Sequence, residues 1–317
     1  MRSPNTEMPN RYSVRHSAST TRRSSPRIPG KFAHCPAGTR LGLRDIAGLQ
    51  RTNLAPYSVA RIAFLGLNAP QTCMGKPIQT QRFSREKILI SVVIPAHNEE
   101  KFVGPCVESI VRASQHVALK QEEVLVLVVL DHCTDRTGAI AEASGATTLT
   151  VSARNVGQAR AAGAQAAMNA GARWLAFTDC DGVVAPDWLS AQLALCAQGA
   201  DAVCGTVCVG DWAGYGPNMR HHFAATYFDV DGHRHVHGAN LGISAAAYQR
   251  VGGFQHLPCS EDVALVESLK SIGATIAWSA APRVATSART DFRAPGGFGA
   301  TLQCIEQEGT WVQPMAA

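Results

Sequence analysis

No uninterrupted apolar run in this 317-residue chain reaches the roughly 18–20 residues that a membrane-spanning helix needs. The longest runs, ILISVVIP and VLVLVVL, have the length of buried strands. A secretory signal with an apolar core is also missing from the N-terminus. Ten cysteines are present, but their spacing is irregular, which suits a reducing compartment better than a disulfide framework. Internal repeats are absent. Acidic residues are almost missing from the first part: residues 1–87 hold 15 Lys and Arg against 3 Asp and Glu. That leaves 14 against 21 for residues 88–317, so the basic balance of the whole chain comes from the N-terminal stretch.

That stretch, rich in Ser, Arg and Pro, is also poor in large apolar residues. It cannot bury enough surface to fold alone and is expected to be a disordered basic extension over 1–87. It lacks the aromatic interleaving of a single-strand nucleic-acid binder, so no nucleic-acid partner is expected. A transit-like presequence, an anionic-membrane arm and translated sequence upstream of Met74 are rival readings. The expected location is cytoplasmic, with peripheral membrane contact left open.

What remains is a regular alternation. ILISVVIPAHNEE is a β-branched run closed by Pro95. A helical stretch follows, in which Phe102, Cys106, Ile110 and Ala113 share a face. EEVLVLVVLDHCTD is a second strand ending in Asp131, and TDRTGAIAEASG a helix with Thr134 or Asp135 as cap. ATTLTVS is a third strand and NVGQARAAGAQAAMNAG an Ala-rich helix. ARWLAFTDCDG, PDWLSAQLALCAQG and ADAVCGTVCV then give strand, helix and strand. Such alternation predicts an α/β domain over 88–317, built on a mostly parallel, Rossmann-like open sheet with helices on both faces. Ligands of such sheets bind outside the carboxyl ends of the strands. Pro95, Ala96, Asp131, Asp179 and Asp181 all fall at such ends. Residues 210–237 break the rhythm and read as a long loop. SEDVALVESLKSIGA is an amphipathic helix opening on Glu261 and Asp262, and TIAWSA a last strand.

The ordered series SVVIPAHNEE, VVLDHCTDRT, ARNVGQARAAG, FTDCDGVVAPDWL, HGANLGISAAAYQRVGGF and SEDVALVESL resembles the GT-A fold glycosyltransferases of family 2. The likeness covers about residues 88–280. It implies transfer of a sugar from a nucleotide-sugar donor to a hydroxyl acceptor. Asp181 would be the direct ligand of Mg²⁺ or Mn²⁺, and Asp179 would touch ribose or a metal-bound water. Hard oxygen donors suit those ions. By the same resemblance Asp131 meets the nucleobase, and Pro95, Ala96, His97 and Glu99 line the nucleotide pocket. A UDP-sugar is favoured, since Asp131 can accept from a uracil N–H. Arg154 would pair with phosphate or with Asp131.

An inverting transfer needs a base for the acceptor hydroxyl. The resemblance assigns it to Asp262, with Glu261 beside it. Two acids at a helix start also suit the helix dipole without any catalysis. His237 is implied as a metal or phosphate ligand, and Gly238 and Asn240 border the acceptor. The cysteines and histidines of 204–237 offer zinc as a rival, but without the tight paired knuckles of structural sites. TSARTDFRAPGGFGATL resembles the C-terminal loop of single-transfer bacterial relatives, in which Arg289 and Arg293 would close over a diphosphate. No Gln-x-x-Arg-Trp motif follows, which argues for a single transfer rather than processive synthesis. The rival functions are a catalytically inactive nucleotide-binding scaffold or sensor and a nucleotidyltransferase. The latter would open with a Gly-rich, Arg- or Lys-bearing loop, which PAHNEEKFVG is not.

Overall fold

A computed structural model describes residues 90–119, 122–212, 214–292 and 296–309, all within one compact unit of the chain. The expected N-terminal extension and Arg293 lie outside the described residues. Eight strands form one sheet: β1 Ile90–Ala96, β2 Val124–Asp131, β3 Thr147–Val151, β4 Trp174–Phe177, β5 Val183–Val184, β6 Ala202–Asp211, β7 Leu241–Ser244 and β8 Ile276–Ser287. Their spatial order is β3-β2-β1-β4-β7-β6-β8-β5. The pairs β1–β2, β2–β3, β1–β4 and β6–β8 are parallel. β7 runs antiparallel to both β4 and β6, and β5 antiparallel to β8. The sheet is thus mixed, with six strands pointing one way.

Both faces are covered. Ile90, Val92 and Ile94 of β1 pack with Cys106, Val107 and Ile110 of helix α1 (Val103–Ser114) and with Trp188 and Leu189 of α4 (Trp188–Ala197). Val93, on the alternate side of the same strand, packs with α3 (Val156–Asn169) and α7 (Glu261–Ser271). This alternation is the period-2 pattern of a strand buried on both sides. Helix α3 lies unusually close to the sheet because Gly163 faces it. A Cβ there would stand 2.4 Å from Val93 and 2.7 Å from Val129 side-chain carbons. Helices α2 (Thr137–Ala143) and α6 (Ala245–Arg250) complete the layers.

Three expectations need correction. Residues 210–237 are not all loop, since α5 (Pro217–Thr226) lies within them, with Pro217 at the first helical position. The segment after residue 286 likewise contains α8 (Phe298–Glu308). These helices pack on one another through Tyr215, Met219, Leu302 and Ala288, a satellite core beside the main one. The last strand is also longer than TIAWSA, because its second half pairs with β5 and the end of β6.

β2 and β3 lie on one side of β1, and β4 on the other. The strand order therefore reverses at β1, which opens a crevice beyond its carboxyl end. Ala96 is in register with Leu130, one residue before Asp131. The ends of β1, β2 and β4 thus share one edge.

Candidate active site

The loops beyond β1 and β2 are stitched together. Glu99 N donates to Thr137 Oγ1 at 2.8 Å, and Glu100 N to Asp135 Oδ2 at 3.1 Å. Asn98 Oδ1 accepts from Thr134 N at 2.8 Å. Asp135 Oδ1 also receives the Thr137 N–H, so it holds the start of α2 much as a cap would. His97 is exposed, with Nδ1 2.7 Å from the carbonyl oxygen of Asp131. Ala96 is buried and Pro95 half-buried at the strand end.

Asp131 faces the turn that leads into α3. Its Oδ1 accepts from Ala153 N and Arg154 N at 2.8 Å, and its Oδ2 from Asn155 N at 2.9 Å. Three of its roughly four lone-pair positions therefore brace this turn, which leaves about one for a ligand donor. The Arg154 guanidinium does not pair with Asp131. Its Nη2 lies 2.5 Å from His132 Nε2. Asn98, His132, Arg154 and Ser260, the four non-glycine residues with positive φ among the described residues, all border this edge. Such conformations cost on the order of 1 kcal/mol or more each, and they tend to gather where geometry serves a ligand.

Asp179 and Asp181 stand on the turn after β4. Gly182 N donates back to Asp179 O at 3.1 Å, which closes the turn over four residues. Cys180 between them points into the core beside α1. Burial, then the charge of Asp179, pushes the Asp181 carboxyl up to about 6 against the opposing pull of Arg289. Arg289 reaches this turn from the end of β8, with Nε 3.1 Å from Asp181 Oδ2. It also grips Glu99 through two 2.6 Å bonds.

Sequence reasoning missed Arg160 of α3. Its head is buried between Glu261 Oε1, which Nη1 contacts, and Asp179 Oδ1, which Nη2 contacts at 2.5 Å. Burial opposes the Arg160 charge, but Asp179, Glu261 and Asp262 outweigh it and hold the guanidinium protonated. Burial in turn raises the Glu261 carboxyl, with Arg160 opposing. The signal was present in the sequence. Gly157, Ala159, Arg160, Gly163, Ala164 and Ala167 form the buried face of α3, so the helical period turns this arginine inward.

Asp262, next to Glu261 in the first turn of α7, accepts from Gly238 N at 2.7 Å through Oδ2. Its Oδ1 accepts from Val263 N at 2.8 Å. His237 is half-buried, and burial with its neighbours His235 and His233 depresses it to about 3. Its Nε2 lies 3.0 Å from the Tyr227 hydroxyl. Asn240 does not face the crevice. Its amide accepts from Trp188 Nε1 at 2.8 Å and donates to the carbonyls of Thr206 and Pro282 at 2.7 and 2.8 Å, bolting α4, β6 and β8 together.

Among the described residues no three His, Cys, Asp or Glu side chains stand close enough to cage a metal. Asp181, the implied direct ligand, shares its turn with Asp179, while His237 lies against the Tyr227 hydroxyl. Two hard carboxylates stand on this turn, and burial, then the charge of Asp179, lifts Asp181. That fits an ion which takes one or two carboxylates and completes its shell with phosphate and water. The zinc alternative has no gathered ligands among the described residues.

The glycosyl transferase family 2 model matches residues 91–253, more than half of the chain. Among solved structures, S. aureus TarS 1–349 in complex with UDP-GlcNAc aligns with a TM-score of 0.52 and 15% identity. That alignment covers 66% of this chain and 61% of that one. S. aureus TarS 1–349 aligns again with a TM-score of 0.50 and 15% identity over 63% and 60% of the two chains. This chain therefore spans about 60% of the length of the structures it matches, and the likeness is one of fold. No curated protein matches.

Proposed function

The chain belongs to glycosyl transferase family 2, and from that premise we propose that its α/β domain transfers a sugar from a nucleotide-sugar donor to a hydroxyl acceptor. One observation carries the reading. Three carboxylates from two elements, Asp179 of the turn after β4 and Glu261 and Asp262 of α7, gather around buried Arg160, with Asp181 on the same turn as Asp179, at the edge where the strand order reverses. Packing alone does not call for such a cluster, because gathering like charges in a half-buried place is costly.

In this reading the nucleotide lies along the loops beyond β1 and β2. His97, Glu99 and the strained Asn98 and His132 shape its pocket, and Asp131 offers its remaining acceptor position to a base N–H. A UDP-sugar suits that acceptor, and the UDP-GlcNAc bound by the structurally similar TarS is consistent with it. Asp181 and Asp179 would hold Mg²⁺ or Mn²⁺. When bound, the ion would offset the charge that develops on the departing diphosphate. Arg289 would exchange Asp181 for a diphosphate oxygen, a task that a planar guanidinium performs well.

Asp262 takes the acceptor proton. Two backbone N–H groups fix its carboxylate, which leaves lone pairs for an incoming hydroxyl. Its place at the N-terminus of α7 favours its negative charge. The reading of the transfer as inverting and single rests on the family resemblance, with Asp262 as its base. His237, kept neutral, borders the acceptor side with Gly238.

The test is thermal unfolding against a panel of nucleoside diphosphates with and without Mn²⁺, followed by transfer assays with the matching sugar donors. A ligand at about 100 times its Kd adds about 2.7 kcal/mol of stability. A shift with one nucleotide that requires Mn²⁺, followed by turnover, supports the reading. Turnover with no donor, in protein that still binds a nucleotide, would mark the chain as a binding scaffold instead.

A further inference from the structure

Arg160 has an unusual environment for an arginine on an Ala-rich helix. Only 4% of it is exposed. One edge of the guanidinium meets Glu261 and the other Asp179, while its Nε has no hydrogen-bond partner. One aromatic neighbour, Phe254, lies with its ring centroid 6.0 Å from Cζ. Gly238 also lies against the head group. A Cβ at that position would stand 2.5–2.7 Å from Nη2, Cζ and Nη1 together, so any side chain there would drive into the guanidinium.

The residue that packs on Arg160 is the one that orients Asp262. Gly238 N donates to Asp262 Oδ2 at 2.7 Å. Arg160 therefore reaches Asp262 by two routes: through Glu261, the preceding residue of α7, and through the backbone of Gly238. A third close approach keeps the routes short. Gly157, in the first turn of α3, lies where a Cβ would be 3.0–3.1 Å from Glu261 carbons. Two glycines and one arginine thus draw α3, the start of α7 and the Gly238 loop together. Through Asp179 the same arginine holds the donor-side turn.

We infer that Arg160 is a positioning residue for the transfer reaction, fixing the Asp262 carboxylate relative to the Asp179–Asp181 turn while touching neither donor nor acceptor. The inference rests on the reading of Asp262 as base. It differs from a simple account in which Arg160 only neutralises buried charge. Neutralisation needs a cation near Glu261, whereas positioning needs the planar head that spans Glu261, Asp179 and the Gly238 backbone at once. A displacement of about 1 Å at a reacting group can cost about 100-fold in rate.

The test compares Arg160→Met and Arg160→Lys with the wild type in steady-state transfer and in crystal structures. The expected result for Arg160→Met is a kcat lower by about 100-fold, with the donor KM within about threefold of wild type. Arg160→Lys should recover part of the loss. In the Arg160→Met crystal structure the Gly238 N–Asp262 Oδ2 bond should be broken. If Arg160→Met fails to fold, the double variant Arg160→Met/Glu261→Gln removes both buried charges and is held to the same bond criterion. A near-wild-type kcat, a loss confined to donor KM, or an intact Gly238–Asp262 bond overturns the inference. If the wild type itself transfers no sugar, the proposed function fails instead, and the bond criterion still judges the positioning role.

Discussion

Arg289 and Glu99 are 190 residues apart in the chain, yet their side chains meet through two parallel bonds of 2.6 Å. Arg289 stands at the close of β8, and Glu99 in the turn before α1. The guanidinium also lies over the Phe102 ring, 4.9 Å from its centroid, and its Nε is 3.1 Å from Asp181. One arginine thus ties the C-terminal segment to the crevice edge and to the acidic turn. The neighbouring Ala288 is buried in the satellite core of α5 and α8, which anchors this arginine from behind.

Removing Arg289 should therefore destabilise the fold as well as weaken donor binding. Glu99 is 4% exposed and would lose a charged partner. Breaking a buried pair from one side costs about 3–5 kcal/mol, while replacing both partners costs far less. Arg289→Met and Glu99→Gln should each lower stability in urea unfolding, and the double variant should lower it by less than their sum. A coupling below about 0.5 kcal/mol would show that the pair is not held as described.

Asp181 sets an expectation for pH. Its folded pKa, about 6, lies above the usual value of 3.8 because burial and Asp179 disfavour its charge. The folded protein then holds a proton that the unfolded chain releases between about pH 4 and 6. This contribution to stability is present at low pH and lost as pH rises through about 6. Asp181→Asn should accordingly melt higher than the wild type above pH 6 without metal, and should lose the response to Mn²⁺. In the wild type, apparent Mn²⁺ affinity should fall about tenfold per pH unit below about 6. A flat Mn²⁺ profile across pH 5–7 would reject Asp181 as the ligand.

Much of this site could be read from the chain. β1, β2 and β4 announce themselves as β-branched or apolar runs, and their acidic ends fall together once the strands are parallel neighbours. β7 is harder, because four residues cannot state their direction. Helix α5 was hidden by its polar, His-rich composition, although Gly216-Pro217 is a start signal. Helix α8 carries Phe298, Leu302 and Ile305 at helical spacing, but within a Gly-rich stretch that reads as loop. Arg160 is the real gap. Arg160 finds Glu261 at a separation of 101 residues, and no local pattern encodes a partner at that distance. Asn240 shows the opposite case. Its place in HGAN suggests a ligand, while its amide is fully engaged in joining strands.

His237 predicts a second pH effect of opposite sign. Burial first, then His235 and His233, lowers it to about 3, whereas the unfolded side chain titrates near 6.5. Its contribution to stability is thus present above about 6.5 and declines as pH falls towards 3. Wild-type melting temperature should drop steadily over that range, and His237→Gln should flatten the drop. An unchanged acid limb in His237→Gln would show that other groups govern it.

The sharpest separation of binding from chemistry is Asp262→Asn. The asparagine Oδ1 can keep the bond from Gly238 N, so the loop and the start of α7 stay in place. The side chain can no longer accept a proton from the acceptor hydroxyl. Donor binding, read from the nucleotide-dependent melting shift, should match the wild type, and Asp181→Ala should abolish that shift. Transfer by Asp262→Asn should fall by about 10²–10⁴-fold, the usual contribution of a positioned base. Because the acceptor proton leaves only during transfer, the loss belongs in kcat and not in donor KM. If Asp262→Asn turns over at the wild-type rate, the base lies elsewhere. Glu261 would be a poor substitute, since Arg160 already occupies its carboxylate. Asp179 would then be the carboxylate to test, through Asp179→Asn, because it is the more exposed partner of Arg160.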